Sequence, residues 1–234
     1  MVAKTWLLLK KLRFLQLTLY IIFFLFASPF FGHYWILRLF SSIFLLNALL
    51  VSISASGKTV HMKWLLWVLF GATVIFSALF LSPLVPTKHL ILLKLAIGCE
   101  VLVLLVCLGA ILAFIFATTQ VTLDTIFAAV VAYLFIAFSF AQGYMLLHLF
   151  SPQSFNLPAS APPAALDSYH SDMIFYSLII ITTVGIGDIV PQTPIARTMT
   201  VLEAMIGQFF VAVLVAWLVG RFISQSSGHR PPPD

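Results

Sequence analysis

The sequence predicts an all-α integral membrane protein with six transmembrane helices. Of its 234 residues, 62% are hydrophobic and only 8% are charged, more apolar surface than the fold of a soluble protein can bury. A helix needs about 20 successive apolar residues to cross a bilayer. Stretches of that length cover approximately residues 12–31, 34–55, 63–82, 89–117, 122–150 and 195–222.

The first span begins in a basic cluster formed by Lys4, Lys10, Lys11 and Arg13. This cluster also suits a signal peptide, but the apolar run is long and has no convincing small-residue cleavage site, so we favour an uncleaved helix. Basic residues accumulate in cytoplasmic loops. We therefore predict a multi-pass cell-membrane protein with both termini in the cytoplasm, and this topology accounts for the net charge of +5 without a nucleic-acid partner.

Residues 1–118 are predicted to form a four-helix transmembrane bundle. The bundle occupies the position of a voltage sensor, but its fourth span holds only Lys94 and Glu100 in place of regularly spaced basic residues. We expect Lys94 to reach the outer interface and Glu100 to pair with a neighbouring helix. Voltage is therefore expected to have little influence on the protein.

Residues 119–224 are predicted to form a second unit, in which an interrupted segment separates the fifth and sixth spans. Its first part, 151–166, is rich in proline and fits an exposed extracellular loop. The next part, 168–182, starts with helix-initiating oxygens and continues as an apolar helix too short to cross a bilayer. Residues 182–194 contain glycine and proline and cannot remain helical.

A short helix followed by irregular backbone at membrane depth predicts a re-entrant loop, because lipid offers backbone groups no hydrogen-bond partners. Within the segment Thr183-Val184-Gly185-Ile186-Gly187, two glycines alternate with larger residues. Glycine permits backbone conformations that let successive carbonyl groups point the same way. Four such columns of oxygen around an axis can replace the water shell of a potassium ion.

The segment from Thr182 to Asp188 resembles the pore signature of the potassium-channel superfamily, with Ile186 where tyrosine or phenylalanine is commonest. It is most similar to bacterial and two-pore-domain channels. The resemblance extends from the Phe175-Tyr176-Ser177 triplet, through Arg197, to the glycine-bearing sixth span. It implies that residues 168–182 are the pore helix and residues 182–188 the selectivity filter.

The resemblance also implies a role for each filter residue. The carbonyl groups of Thr183, Val184, Gly185 and Ile186 would line the potassium sites, and the Thr183 hydroxyl would complete the innermost one. Further residues would support the filter or move the gate: Thr182 as a buttress, Gly187 at the final turn, Asp188 at the outer mouth with Tyr176 as a candidate partner, and Gly207 as the gating hinge.

Two ionisable residues near the loop are further candidates. Glu203 in the sixth span should face protein, either supporting the filter through hydrogen bonds to the pore helix or attracting cations in the cavity; we favour support. His170, beside the start of the pore helix, is a candidate for sensitivity to external pH.

We therefore expect a potassium-selective channel subunit that conducts passively as a homotetramer in contact with membrane lipids. The alternatives are a weakly selective cation channel and a non-conducting scaffold or sensor on a pore fold. The spans hold no paired carboxylates, metal-ligand cluster or nucleophile–base pair, so we expect no enzyme activity and no cofactor besides the permeant potassium ion. Residues 225–234 are expected to be a short cytoplasmic tail, with no soluble regulatory domain encoded.

Overall fold

The computed structural model describes residues 13–27, 43, 45–52, 60–81, 90–118, 120–156 and 166–227. Seven helical segments follow one another within these ranges: α1 (Arg13–Ala27), α2 (45–52), α3 (Val60–Leu81), α4 (Leu90–Ala117), α5 (Leu123–Phe150), α6 (Leu166–Ile181) and α7 (Pro194–Ser227). A 3-10 turn, Pro152–Ser154, precedes the short strand β1 (Phe155–Asn156), and β2 (Val190–Pro191) precedes α7.

Three helices in the described part of the chain are long and apolar enough to cross a membrane. They are Leu90–Ala117, Leu123–Phe150 and the Pro194–Ser224 part of α7, and they coincide closely with the predicted spans 89–117, 122–150 and 195–222. The chain is thus a mostly helical membrane protein. The count of six spans stays a prediction, because the first two predicted spans extend into residues outside those described.

Helix α5 is the most buried of the three long apolar helices, since 56% of its most apolar stretch is buried against 39% for α4 and 17% for α7. It packs on α1, α4, α6 and α7. Its first turn is fixed by a capping box, in which the Thr125 N–H donates to Thr122 Oγ1 and the Thr122 N–H donates to Thr125 Oγ1. Asp124 in the same turn accepts the Phe14 N–H at 3.2 Å and lies 3.5 Å from Arg13 Nε.

The carboxyl-terminal end of α5 is tied to the segment that precedes α7. Strands β1 and β2 are antiparallel, with Phe155 opposite Pro191 and Asn156 opposite Val190. Next to this pair, the Gln192 N–H donates to the Ser154 carbonyl at 2.8 Å. The predicted loop 151–166 therefore begins with an ordered turn and strand, and α6 starts at Leu166, two residues before the predicted pore helix.

Candidate ion pathway

Hydrogen bonds join the last turns of α6 to the predicted filter that follows them. The helix stops at Ile181, one residue before the predicted end, and residues 182–183 form a turn. The N–H groups of Val184 and Gly185 both donate to the Ile179 carbonyl, at 2.9 and 3.1 Å. The Thr182 hydroxyl donates to the Leu178 carbonyl at 2.6 Å. The last carbonyls of α6 are thereby satisfied by the segment that follows it.

The backbone of this segment alternates in conformation. Thr183, Gly185 and Gly187 have φ of 60°, 56° and 85°, whereas Val184 and Ile186 between them do not have positive φ. A positive φ is uncommon for a threonine and costs free energy, so the surrounding structure must hold it. The positive φ values at Gly185 and Gly187 are backbone conformations that glycine adopts readily.

The predicted filter, residues 182–188, is bare in the described chain, and we call it the filter segment. Residues 182–188 are all exposed, and the side chains of Val184 and Ile186 are 62% and 61% exposed. An added Cβ at Gly185 or Gly187 would have no atom within 4 Å. Within the single chain, a side chain at Gly185 or Gly187 would therefore be disfavoured by the positive φ and not by a clash.

Behind the filter, Glu203 joins three helices. Its side chain is fully buried, and its carboxylate accepts hydrogen bonds from the Tyr144 hydroxyl of α5 at 2.6 Å and from the Ser177 hydroxyl of α6. Ser177 Oγ also lies 2.6 Å from the Ala137 carbonyl of α5. These are the pore-helix contacts that the supporting hypothesis predicted, while the effect of Glu203 on the filter stays a prediction.

Tyr176 has a different partner from the one expected. Its hydroxyl lies 2.7 Å from Thr200 Oγ1 on α7, and Asp188 instead accepts the N–H of Ile189 at 2.9 Å. The suggested Asp188–Tyr176 hydrogen bond is therefore wrong for this structure. The reason is that the Tyr176 ring is held among aromatic neighbours, with centroids 5.2 Å from Tyr144 and 5.5 Å from Phe155.

At the base of the filter, α5 and α7 both contact Ile181, the last residue of α6. The Tyr133 hydroxyl donates to the Ile181 carbonyl at 2.7 Å. A Cβ added at Gly207 would come within 2.5 Å of Ile181 Cγ1 and 3.1 Å of its carbonyl oxygen. Gly207, expected as a hinge, thus has a packing role that the sequence did not reveal, and bending at this position stays a prediction.

Two acidic residues, Asp172 of α6 and Asp188 of the predicted filter, lie near each other. Burial raises the pKa of Asp172 in α6, and the nearby charge of Asp188 raises that pKa further. The two carboxyl groups are therefore close enough for the charge of Asp188 to act on Asp172. Such a region favours cations over anions.

Sequence reasoning missed Tyr133, Tyr144 and Thr200. The two tyrosines are the tyrosines of the fifth span and lie 11 positions apart, about three helical turns, so both are on one face of the helix. A buried tyrosine usually finds a partner for its hydroxyl, so this face could have been predicted to meet polar groups. Their partners, Glu203 and Ile181, are too distant in sequence to be identified by spacing.

Comparison with known protein families places this geometry in context. Residues 161–224 match the family model described as "Ion channel". The match supports an ion channel pore-domain family for this segment. The match includes α6, the filter segment and most of α7, about a quarter of the chain. No protein of curated function matches the chain significantly, and no solved structure does.

Proposed function

We propose that the chain is one subunit of a potassium-selective channel that conducts passively through a fourfold pore. The carbonyl groups of Thr183, Val184, Gly185 and Ile186 replace the water shell of K⁺ at stacked positions along the axis. The observation that carries the proposal is the alternation of positive φ at Thr183, Gly185 and Gly187. An ordinary turn has no need of three left-handed residues at every second position.

Fourfold assembly is supported by what the single subunit leaves exposed. One filter segment supplies a single column of carbonyl groups, and an ion on an axis needs several. The filter segment and most of the apolar stretch of α7 are uncovered in one subunit. Closed cyclic assembly around the filter covers these surfaces and completes the ion sites together.

The decisive experiment is a reversal-potential measurement on purified protein in planar bilayers, with K⁺ on one side and Na⁺ on the other. The proposal predicts a reversal potential that follows the K⁺ gradient and a current that external Ba²⁺ blocks. A reversal potential that follows Na⁺ as readily would reject potassium selectivity. The absence of any current from a correctly folded tetramer would favour the non-conducting scaffold.

Gly187→Ala provides the matched test of the filter backbone. Alanine at φ 85° is strained, at a cost of order 1–3 kcal/mol, so the current should fall about five- to 150-fold while the oligomer stays intact. Gly109→Ala is the control, because Gly109 lies in α4 with open space around it and no positive φ. Equal currents from both variants would show that the Gly187 backbone is not part of the pathway.

A weakly selective cation channel is the second candidate, and Ile186 is the residue that favours it. Its side chain is 61% exposed, so within one subunit it does little to hold the width of the filter. If the channel is only weakly selective, the reversal potential measured with K⁺ on one side and Na⁺ on the other would lie near zero and would not follow the K⁺ gradient.

A further inference from the structure

A small cavity lies where the amino-terminal helices meet the pore helix. It has a volume of about 20 Å³, enough for one water molecule. Five apolar side chains from α1, α2, α4, α5 and α6 line it together with three polar residues, Glu100, Gln142 and His170. We call these three residues the junction cluster. They come from α4, α5 and α6, so the cluster connects the bundle to the helix that carries the filter.

The junction cluster is chemically unusual for its surroundings. Glu100 is only 3% exposed and accepts a hydrogen bond from Gln142 Nε2 at 2.9 Å, which confirms the expected pairing of Glu100 with a neighbouring helix. The other amide atom, Gln142 Oε1, is buried without a protein hydrogen-bond partner. Buried acidic groups in membrane helices are costly and mark functional sites. Gln142 Oε1 is therefore a buried acceptor that a donor in the cavity could satisfy.

We propose that the junction cluster is a proton-binding site that links external pH to the position of the pore helix. His170 is partly exposed, so protons can reach it from the aqueous side. A protonated imidazole is attracted to the Glu100 carboxylate, and in a region of low dielectric constant this attraction is much stronger than in water. Proton binding therefore strengthens the connection between α4 and α6, and proton release weakens it.

The proposed connection between α4 and α6 predicts the direction of the pH response. A firmly held α6 stabilises the turn at Thr182 and Thr183, because the filter N–H groups bond to carbonyls of its last turns. Acid should thus favour the conducting filter. Histidine changes charge between about pH 5 and 8, so the response falls in that range.

Other titratable groups pack on the same helices and must be separated from the junction cluster. His148 of α5 contacts the Tyr169 ring at a centroid distance of 4.8 Å. Cys99 adjoins Glu100 on α4, and Asp172 lies two positions beyond His170 on α6, where Asp188 influences it. The lining residues of the cavity include only Glu100 and His170 among these groups. His148→Gln is therefore the control.

The test compares the wild type, Glu100→Gln, His170→Gln and the double variant at about pH 5.5 and 7.5. The first measurement is thermal unfolding of the purified oligomer, which does not depend on conduction. At the lower pH, the melting-temperature change of the double variant should differ from the sum of the changes of the two single variants by about 2–4 °C. At the higher pH, this difference should be much smaller. His148→Gln should retain the wild-type pH response.

The second measurement is K⁺ flux at the two external pH values, and it rests on the proposed function. Wild-type flux should rise about fivefold or more on acidification, and both single variants should lose this response while retaining flux at pH 7.5. An unchanged pH response in His170→Gln, or a coupling to Glu100 that is equal at both pH values, would overturn the proposal. If the wild type carries no K⁺, only the proposed function fails. The unfolding measurement still tests whether Glu100 and His170 form a proton-binding site.

Discussion

At the scale of single residues, substitutions of Glu203 test how the predicted filter is supported. It is fully buried and accepts hydrogen bonds from Tyr144 and Ser177. Glu203→Ala would leave the Tyr144 hydroxyl without its acceptor, at a cost of about 1–3 kcal/mol in the free energy of unfolding. Denaturation of the purified oligomer measures this loss directly.

Glu203→Gln separates support from cation attraction. The amide keeps the volume of the side chain and one acceptor oxygen, and the Ser177 hydroxyl can still donate to the Ala137 carbonyl. We therefore expect a smaller loss of stability than in the alanine variant and an unchanged single-channel conductance. A large fall in conductance with normal stability would place the Glu203 carboxylate on the ion pathway instead.

Asp172 should make stability depend on pH in a defined direction. Burial and the charge of Asp188 raise its pKa above the ordinary value, so the folded state binds the proton more tightly than the unfolded state does. This contribution is fully present in acid and is lost as pH rises through the folded-state pKa. Asp172→Asn should accordingly raise the melting temperature at pH 7, and the difference from wild type should shrink as pH falls below about 4.

The filter residues illustrate what sequence can and cannot predict. The alternation of glycine with larger residues indicated an unusual backbone, and positive φ is present at Thr183, Gly185 and Gly187. The partner of Tyr176 could not be predicted. It depends on how α7 rotates to bring Thr200 close to α6, and rotation is fixed by packing over the whole helix.

At the scale of elements, the contact between α6 and α7 depends on Gly207. Gly207→Ala would place a Cβ 2.5 Å from Ile181 Cγ1, so α7 must move away from the base of the filter. Overpacking of this kind costs about 1–3 kcal/mol, and K⁺ flux should fall because Ile181 directly precedes the filter. Thermal unfolding and flux measured on the same preparation check both effects.

Gly220→Ala is the control for this substitution, because Gly220 lies in the same helix with nothing within 4 Å of an added Cβ. It should be neutral or slightly stabilising, since alanine favours helix over glycine. Adding Ile181→Ala to Gly207→Ala removes the clashing Cγ1 and should restore part of the lost flux. Failure of this rescue would show that the clash with the Ile181 side chain is not the cause of the lost flux.

Helical elements were predicted far better than the connection between β1 and β2. The bounds of α4 and α5 agree with the apolar runs to within one residue, because helix length in a membrane is set by hydropathy. Two-residue strands have too few positions to show alternation, and the partner residues 155–156 and 190–191 are separated by the whole of α6. Only the folded chain reveals that they pair.

At the scale of the whole molecule, voltage should have little effect on conduction. Among the charged residues of the described amino-terminal helices, α4 holds only Lys94 and Glu100, and Glu100 is bound to Gln142. Moving one charge through the full membrane potential supplies about 2.3 kcal/mol per 100 mV, so steep gating needs several mobile charges. Conductance measured between about −100 and +100 mV in symmetrical K⁺ should therefore change only weakly with voltage. A steep sigmoidal curve would contradict this reading.

The bare filter segment has a consequence for mixed populations of subunits. Its residues are exposed in a single chain, so on our proposal every ion site is shared equally among four copies and one defective copy damages them all. Equal co-expression of wild type and Gly187→Ala would then leave only about one sixteenth of the assemblies free of the defect. A heterozygous cell would lose most of its current, and the variant allele would behave as dominant.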